Sequence, residues 1–351
     1  MPINVGVIGY GLAGRIFHTP FVTSAPGLTL TTVVSSDPTK VHRDYPDVNV
    51  VATVPELLAD PTIGLVVVAT PNTTHADFAR QAMLAGKHVV VDKPFTIDTR
   101  EADELIALAR QQGVLLSVYQ SRRFDNDFQT IRQLVASDVL GAINTYEVHY
   151  DRYKPAVGEK WRDQELPGSG VLYDLGAHLI DQALVLFGLP ETVWANVRAQ
   201  RTGAQVDDYF HIVLGYPATA AILHAGSIVR ASGPHFQLHG AKGSFIKYGL
   251  DSQEEALFAG LRPGSPGWGA DPVAMYGELT VDAGTLPVTG KVTTLVADYT
   301  AFYQQMAEAI AEGKPVPVDP QDSRNAIRVI ELARQSQQEQ RVVPFQANAE
   351  G

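Results

Sequence analysis

The sequence contains no cysteine, which excludes disulfides, thiolate metal ligands and cysteine nucleophiles. It also has no apolar run of the roughly eighteen residues that a membrane-spanning helix needs. The N-terminus enters a strand pattern without a basic stretch or cleavage site, so a cytoplasmic location is expected. Positive charge is scarce: 27 Lys and Arg face 38 Asp and Glu, for a net charge of -11, and no basic run interrupts them. Such a surface repels phosphate backbones and anionic lipid, which argues against nucleic acid and membrane as partners. Internal repeats, low-complexity tracts and charge runs are missing too. What remains is a chain of 351 residues, 45% hydrophobic and 19% charged, which is a globular composition too long for one ordinary core and suited to two domains.

The first seventeen residues organise the rest. The apolar positions Ile3, Val5, Val7 and Ile8 lead into Gly9-Tyr10-Gly11-Leu12-Ala13-Gly14 and then a helical pattern, which reads as strand, glycine turn and helix start. In a dinucleotide-binding turn Gly9 bends the chain out of the strand, Gly11 lets backbone approach a pyrophosphate, and Gly14 lets the helix pack on the strand. The N-H groups of Leu12, Ala13 and Gly14 at the helix start would hold the phosphates. A tight turn without a cofactor is the plain alternative, and the βαβ units that follow favour the cofactor site.

The second strand pattern, Leu28 to Ser35, ends in Ser35-Ser36-Asp37-Pro38-Thr39-Lys40. NAD-binding versions of this fold place an acid about twenty residues after the glycines to bind the adenosine ribose. Here Ser35 or Ser36 falls there, and Asp37 starts an Asp-Pro helix entry. Two hydroxyls with Lys40 and Arg43 nearby suit a 2'-phosphate, so NADP is expected and NAD is possible; the competing reading makes both serines turn formers. Leu65-Val66-Val67-Val68-Ala69 is continuously apolar, as in a parallel strand buried on both faces, and runs into Thr70-Pro71-Asn72 and His75. Ligands bind at such carboxyl ends. His75 could instead sit in the first turn of the next helix. A further strand ends in Asp92-Lys93-Pro94, and its Lys93-Pro94 peptide is expected to be cis.

Six strands alternating with helices give an α/β Rossmann domain over residues 1–120. Beyond Tyr119-Gln120-Ser121-Arg122-Arg123-Phe124 the pattern changes. A long helix, Asp125 to Ala136, precedes period-two stretches at Thr145 to Asp151, Thr192 to Gln200, Tyr209 to Leu214, Ala220 to Val229 and Phe236 to His239, interrupted by a helix at Leu172 to Phe187. This reads as an α+β domain, residues 121–351, on a mostly antiparallel open sheet, with tail helices at Asp298 to Glu312 and Asp322 to Glu339.

With the glycine turn, Thr70-Pro71-Asn72 and His75, Asp92-Lys93-Pro94, and Tyr173-Asp174-Leu175-Gly176-Ala177-His178 all in place, the chain resembles the glucose-fructose oxidoreductase and inositol dehydrogenase (Gfo/Idh/MocA) family over nearly its whole length. The stretches Arg122 to Thr130, Asn144 to Arg152, Tyr173 to Gln182 and Phe245 to Gly249 resemble the family's NADP-dependent scyllo-inositol dehydrogenases. The resemblance implies nicotinamide-dependent interconversion of a secondary alcohol and a ketone on a cyclitol or sugar, with a homodimer or homotetramer. It places Lys93 between nicotinamide and substrate, and Asp174 and His178 in the catalytic set. Two departures stand out: Asp92 replaces the family's usual Glu before Lys-Pro, and Ser121 stands where relatives often have Asn.

On α-helical spacing, Asp174 and His178 share a face, with Asp181 one turn further on. A first-turn acid with a core histidine, and a metal set of these three, are the other readings; no metal site is expected. The expected mechanism has His178 as general base, Asp174 orienting and charging it, and Lys93 donating to the substrate oxygen. Arg122, Tyr153, Trp161 and Arg162 are the expected substrate contacts, and either aromatic could belong to the core. A dinucleotide-binding sensor without turnover, and a reductase of aldoses or other carbonyls, are the rival functions.

Overall fold

A computed structural model describes residues 2–158 and 161–346. Its contacts divide the chain into two units, one formed by 1–124, 253–268 and 298–324, the other by 125–252, 269–297 and 325–351.

The first unit holds six strands: β1 (Ile3–Ile8), β2 (Leu28–Val34), β3 (Asn49–Val51), β4 (Ile63–Val68), β5 (His88–Asp92) and β6 (Leu116–Tyr119). All pair in parallel, in the order β3-β2-β1-β4-β5-β6. The apolar run of β4 has a simple cause. Leu65 and Val67 join the core on one face of the sheet, and Val66 and Val68 join the core on the other. Period-two geometry sends alternate side chains to opposite faces, so a strand covered on both sides must be apolar throughout. Helix Thr99–Gln112 shows how local chemistry sets the element ends: Asp98 accepts from the N-H of Glu101 at 2.8 Å, and Gly113 closes the helix at φ +66°.

Helix Thr300–Glu312, expected among the tail helices of the second domain, belongs to the first unit. Tyr299, Phe302, Tyr303 and Met306 are buried in the core that also contains Phe21, Val67 and Tyr119. The apolar face was legible, but the sheet it covers was not.

The second unit carries β7 (Ile143–Asp151), β8 (Thr192–Arg198), β9 (Tyr209–Gly215), β10 (Ala220–Gly226), β11 (Phe236–Gly240), β12 (Gly243–Lys247), β13 (Gly277–Ala283), β14 (Leu286–Val292) and β15 (Val343–Pro344). They form one sheet, ordered β14-β13-β12-β11-β7-β10-β9-β8-β15, antiparallel except for β7 with β10. One face is core: Tyr146, Val148 and Tyr150 of β7 pack with Phe210, Ile212, Leu223, and with Leu179, Ile180, Ile327 and Ile330 from helices Ala177–Phe187 and Pro320–Glu339. The other face carries the alternate residues. Strands β12 to β14 were not foreseen; β14 is exposed along nearly its whole length and β13 is buried only at Gly277, so neither shows a clear apolar period. Among the described residues no helix is long and apolar enough to cross a membrane.

Candidate active site

In the first unit the strand order reverses at β1 and β4, the place where open parallel sheets bind ligands. The three glycines there meet three different constraints. Gly9 leaves β1 at φ +98°, and a Cβ on it would lie 2.8 Å from the Ala69 carbonyl oxygen. A Cβ on Gly14 would lie 2.1 Å from the Gly9 carbonyl oxygen, so the helix can approach the turn this closely only with glycine. Around Gly11 nothing lies within 4 Å of such a Cβ, which leaves open space that a side chain would occupy. This is the cradle a pyrophosphate requires, beside the N-H groups of Leu12 and Ala13, which helix geometry leaves without an intrahelical acceptor.

A cavity of about 770 Å³ opens at these carboxyl ends, lined by Gly9, Gly11, Ser35, Ser36, Lys40 and Thr70 among others. Another, of about 630 Å³, lies at the amino ends of the strands, beside Ile3, Gly64 and His88. Ligands of open parallel sheets sit at carboxyl ends, so the first is the candidate dinucleotide cavity. Asp37 caps helix Pro38–Asp44, accepting from the N-H of Lys40 at 3.2 Å. Ser35 Oγ accepts from the N-H of Asp37 at 3.1 Å, so this serine forms the turn while also lining the cavity. Ser36 is exposed at the same rim.

A brace that the sequence reading missed anchors this end. Tyr10 donates to Asp44 Oδ2 at 2.9 Å and Arg15 to the same oxygen at 2.6 Å, tying the glycine turn to helix Pro38–Asp44. The Arg15 guanidinium is the main reason the Asp44 carboxyl is held below its ordinary range.

His75 opens helix His75–Leu84, as its alternative reading had it, and is buried. Its Nδ1 lies 2.9 Å from the Pro94 carbonyl oxygen and its Nε2 2.9 Å from that of Thr70. Burial is the largest influence on its pKa and lowers it. The ring thus lies between the loop after β4 and the loop after β5, and its one N-H in the neutral form donates to one of these two carbonyls. Thr70 and Thr74 share a 2.7 Å hydrogen bond in the same loop, and Asn72 is buried.

At the end of β5 the Lys93-Pro94 bond is cis. The Asp92 carboxylate accepts from the Lys93 N-H at 2.9 Å and lies 3.4 Å from His18 Nε2. His18 is fully buried, with Nδ1 2.5 Å from the Tyr303 hydroxyl. Burial pushes the Asp92 carboxyl up, but His18, His75 and Lys93 outweigh it and the net shift is downward. Asp92 therefore fixes the backbone that presents Lys93. Arg122, expected at the substrate, is paired with Glu254 within this unit.

In the second unit the helix bearing Asp174 and His178 begins in π geometry over Leu172–Gly176 and becomes α-helical at Ala177. The expected α spacing of the pair is thereby altered. A residue not singled out in the sequence holds the start of this helix: Asp207, whose carboxylate accepts from the Leu172 N-H at 2.7 Å and from Arg334 at 3.0 Å. Gly170 faces it at φ +93°, where a Cβ would lie 2.5 Å from Asp207 Oδ1. Burial raises the Asp207 pKa against the pull of Arg334.

Asp174 Oδ2 accepts from Arg162 Nη1 at 3.0 Å, with Arg152 Nη1 at 3.9 Å. Arg162 was expected at the substrate; its guanidinium reaches Asp174 and lies 6.0 Å from the centre of the Trp161 ring. Tyr153 is exposed, bridged to Ile228 and stacked under Arg230 at 3.8 Å. His178 and Asp181 are buried.

Comparison with known proteins decides the family. Residues 3–120 match the family model described as oxidoreductase family, NAD-binding Rossmann fold, and residues 132–345 match the oxidoreductase family, C-terminal alpha/beta domain, the two halves of the Gfo/Idh/MocA pattern. The chain belongs to the Gfo/Idh/MocA oxidoreductase family. It is 46% identical over 341 residues to scyllo-inositol 2-dehydrogenase (NADP(+)) IolW of Bacillus subtilis, covering 97% of this chain and 95% of that protein. It is 44% identical to the Escherichia coli oxidoreductase YdgJ, covering 95% and 96%. The solved structure of the Bacillus subtilis oxidoreductase YvaA superposes with a TM-score of 0.96 at 45% identity, covering 98% of each chain. This Gfo/Idh/MocA protein is thus an oxidoreductase with a Rossmann domain for a nicotinamide dinucleotide.

Proposed function

We propose that this oxidoreductase is an NADP-dependent dehydrogenase that interconverts a secondary alcohol and a ketone on a cyclitol or sugar, as the name of its relative IolW states for scyllo-inositol. The observation that carries the cofactor choice is the rim of the dinucleotide cavity, where Ser35, Ser36 and Lys40 stand and the one acid, Asp37, is spent on capping its helix. Hydroxyls and an ammonium suit a 2'-phosphate, whereas a free ribose diol suits a carboxylate.

When bound, the nicotinamide supplies the hydride acceptor or donor. The protein handles the proton. In the oxidation direction His178 takes the hydroxyl proton, and Lys93 donates a hydrogen bond to the same oxygen as it becomes a carbonyl. Asp174, whose carboxylate also accepts from Arg162, orients and charges His178. Asp92, itself beside His18, holds the backbone of Lys93. The presence of Lys93, Asp174 and His178 together favours this reading over a binding-only sensor. We further propose a cytoplasmic homodimer or homotetramer, to be read from its mass in solution.

The test is initial-rate reduction of NADP and of NAD by the purified protein against a panel of inositols and sugars, followed in both directions. Turnover of a cyclitol with a higher kcat/KM for NADP is expected. A higher value with NAD would overturn the cofactor assignment, and turnover of aldoses or simple carbonyls alone would overturn the substrate class.

A further inference from the structure

The sheet face of the second unit opposite its core carries three histidines and two acids that the dehydrogenase chemistry does not use. Strand period fixes this: in β7 the core takes Tyr146, Val148 and Tyr150, so Glu147, His149 and Asp151 point the other way. In β10 the core takes Leu223 and Ala225, leaving His224, and in β9 it takes Phe210 and Ile212, leaving His211. The register then aligns the three strands. His224 stands opposite His149 on one side and His211 on the other, while Gly226 stands opposite Asp151.

We propose that His149, Asp151 and His224 form a binding site for a divalent first-row transition-metal ion of the zinc class. One donor atom from each lies within 4.8 Å of the others, and this is the one such group among the described residues. His149 Nδ1 is 3.3 Å from Asp151 Oδ2, and His224 Nε2 is 3.4 Å from Asp151 Oδ1. Tetrahedral zinc with bonds of about 2.0 to 2.2 Å to nitrogen and oxygen has ligand-to-ligand edges of about 3.3 to 3.6 Å, a range that includes both separations. The three donors leave a fourth position for water.

The surroundings match what metal-ligating histidines need. A ring that coordinates through one nitrogen carries its proton on the other, and that N-H wants an acceptor. If His149 binds through Nδ1, its Nε2-H points at Glu147 Oε1, 2.7 Å away. If His224 binds through Nε2, its Nδ1-H has His211 Nδ1 at 3.3 Å. Both outer acceptors are already placed. Asp151 adds a charge argument: its side chain is 6% exposed, and among the described residues its ion pairs are with these two histidines, not with a lysine or arginine. Its Oδ1 accepts no hydrogen bond among the described residues. A buried carboxylate facing two imidazoles is a ligand set that a divalent cation completes. Gly226 borders the donors, since a Cβ there would lie at ordinary contact distance, 3.7 Å from His224 Nε2 and 3.8 Å from Asp151 Oδ1.

The set differs from Asp174, His178 and Asp181, the metal reading weighed in the sequence, and lies on other elements of the same unit. It came into view only through strand register. An ion here would join neighbouring parallel strands β7 and β10 through their side chains.

The experiment is titration of the chelator-treated full-length protein with Zn²⁺ by calorimetry, and with Co²⁺ followed by visible absorption. One equivalent of Zn²⁺ is expected, with tetrahedral Co²⁺ bands. His224→Ala and, separately, Asp151→Asn should each weaken binding at least about a hundredfold and abolish the bands, whereas Glu147→Gln, which removes only an outer acceptor, should weaken it about ten- to a hundredfold. Circular dichroism identifies any variant that fails to fold, and His149→Gln then replaces it. If Zn²⁺ binds the wild type no more tightly than His224→Ala, the cluster is a hydrogen-bonded network and the proposal is wrong. Binding that survives in all the ligand variants would reveal other surface histidines as the donors and would overturn it equally.

Discussion

Replacing Gly170 with alanine tests how the helix that bears Asp174 and His178 is held. The backbone there has φ +93°, which costs an L-residue about 1 to 2 kcal/mol. The added Cβ would also lie 2.5 to 2.7 Å from both oxygens and Cγ of Asp207. No flexible tip is available to yield, because that carboxylate caps the Leu172 N-H at 2.7 Å. Displacing it removes a charge-assisted hydrogen bond worth about 1.5 to 3 kcal/mol. Its pair with Arg334, a half-exposed side chain, adds little. The total is about 2.5 to 5 kcal/mol, a large part of an ordinary folding free energy. At roughly 2 to 4 °C per kcal/mol for a unit of this size, Tm should fall by roughly 5 to 20 °C. Calorimetry of the variant measures this against Gly203→Ala, where φ is +80° but nothing lies within 4 Å of the new Cβ. That control carries the backbone term alone. Equal losses in the two variants would refute the crowding of Asp207 and with it the idea that this acid sets the helix start.

Ser35→Asp should shift kcat/KM from NADP toward NAD, since it places a carboxylate at the ribose end of the cavity; an unchanged ratio would remove Ser35 from cofactor choice. Lys93→Ala and His178→Ala should each lower kcat on the order of a hundredfold to ten-thousandfold, with cofactor affinity changing more for Lys93→Ala, and the double variant should be far less than multiplicatively worse. Near-native single turnover in His178→Ala would leave Lys93 as the sole acid-base group. Stability should respond to His75. Burial, the main influence, holds its pKa below the ordinary value of about 6.5. The unfolded chain then binds more protons, so the stability present above about 6.5 is lost as pH falls toward the depressed value. Urea midpoints from about pH 8 to 5 should therefore fall less steeply in His75→Gln than in the wild type, and parallel slopes would show that the ring does not titrate on unfolding.

What could be read from the sequence was local. Gly9, Gly11 and Gly14 announce themselves by spacing, and β4 by an apolar run that only a doubly covered parallel strand requires. Asp37 was legible as a cap because a cap and its helix lie within a few residues. The contacts that were missed join distant positions. His18 meets Tyr303 across 285 residues, and Asp207 reaches Leu172 across 35. Neither residue stands out in its own neighbourhood. Arg162 is legible as a polar candidate, but its pairing with Asp174 twelve residues on depends on the path of the chain between them, which the sequence does not reveal. The group His149, Asp151 and His224 was invisible for another reason. Its members sit on strands whose pairing must be known to within one residue before their side chains share a face.

Helix Thr300–Glu312 has a consequence for synthesis. The first six strands leave the ribosome early, but the core they enclose is completed by Tyr299, Phe302, Tyr303 and Met306, which are translated long after Tyr119. Until these arrive, Phe21 and Tyr119 lack the aromatic partners that meet them at 5.5 Å and 4.9 Å in Tyr299 and Phe302. The nascent dinucleotide domain must therefore wait with an apolar face uncovered, and a fragment ending at residue 120 carries that exposure permanently. A cofactor-binding fragment of this chain is to be built by joining 1–124, 253–268 and 298–324, not by cutting where the strand alternation stops.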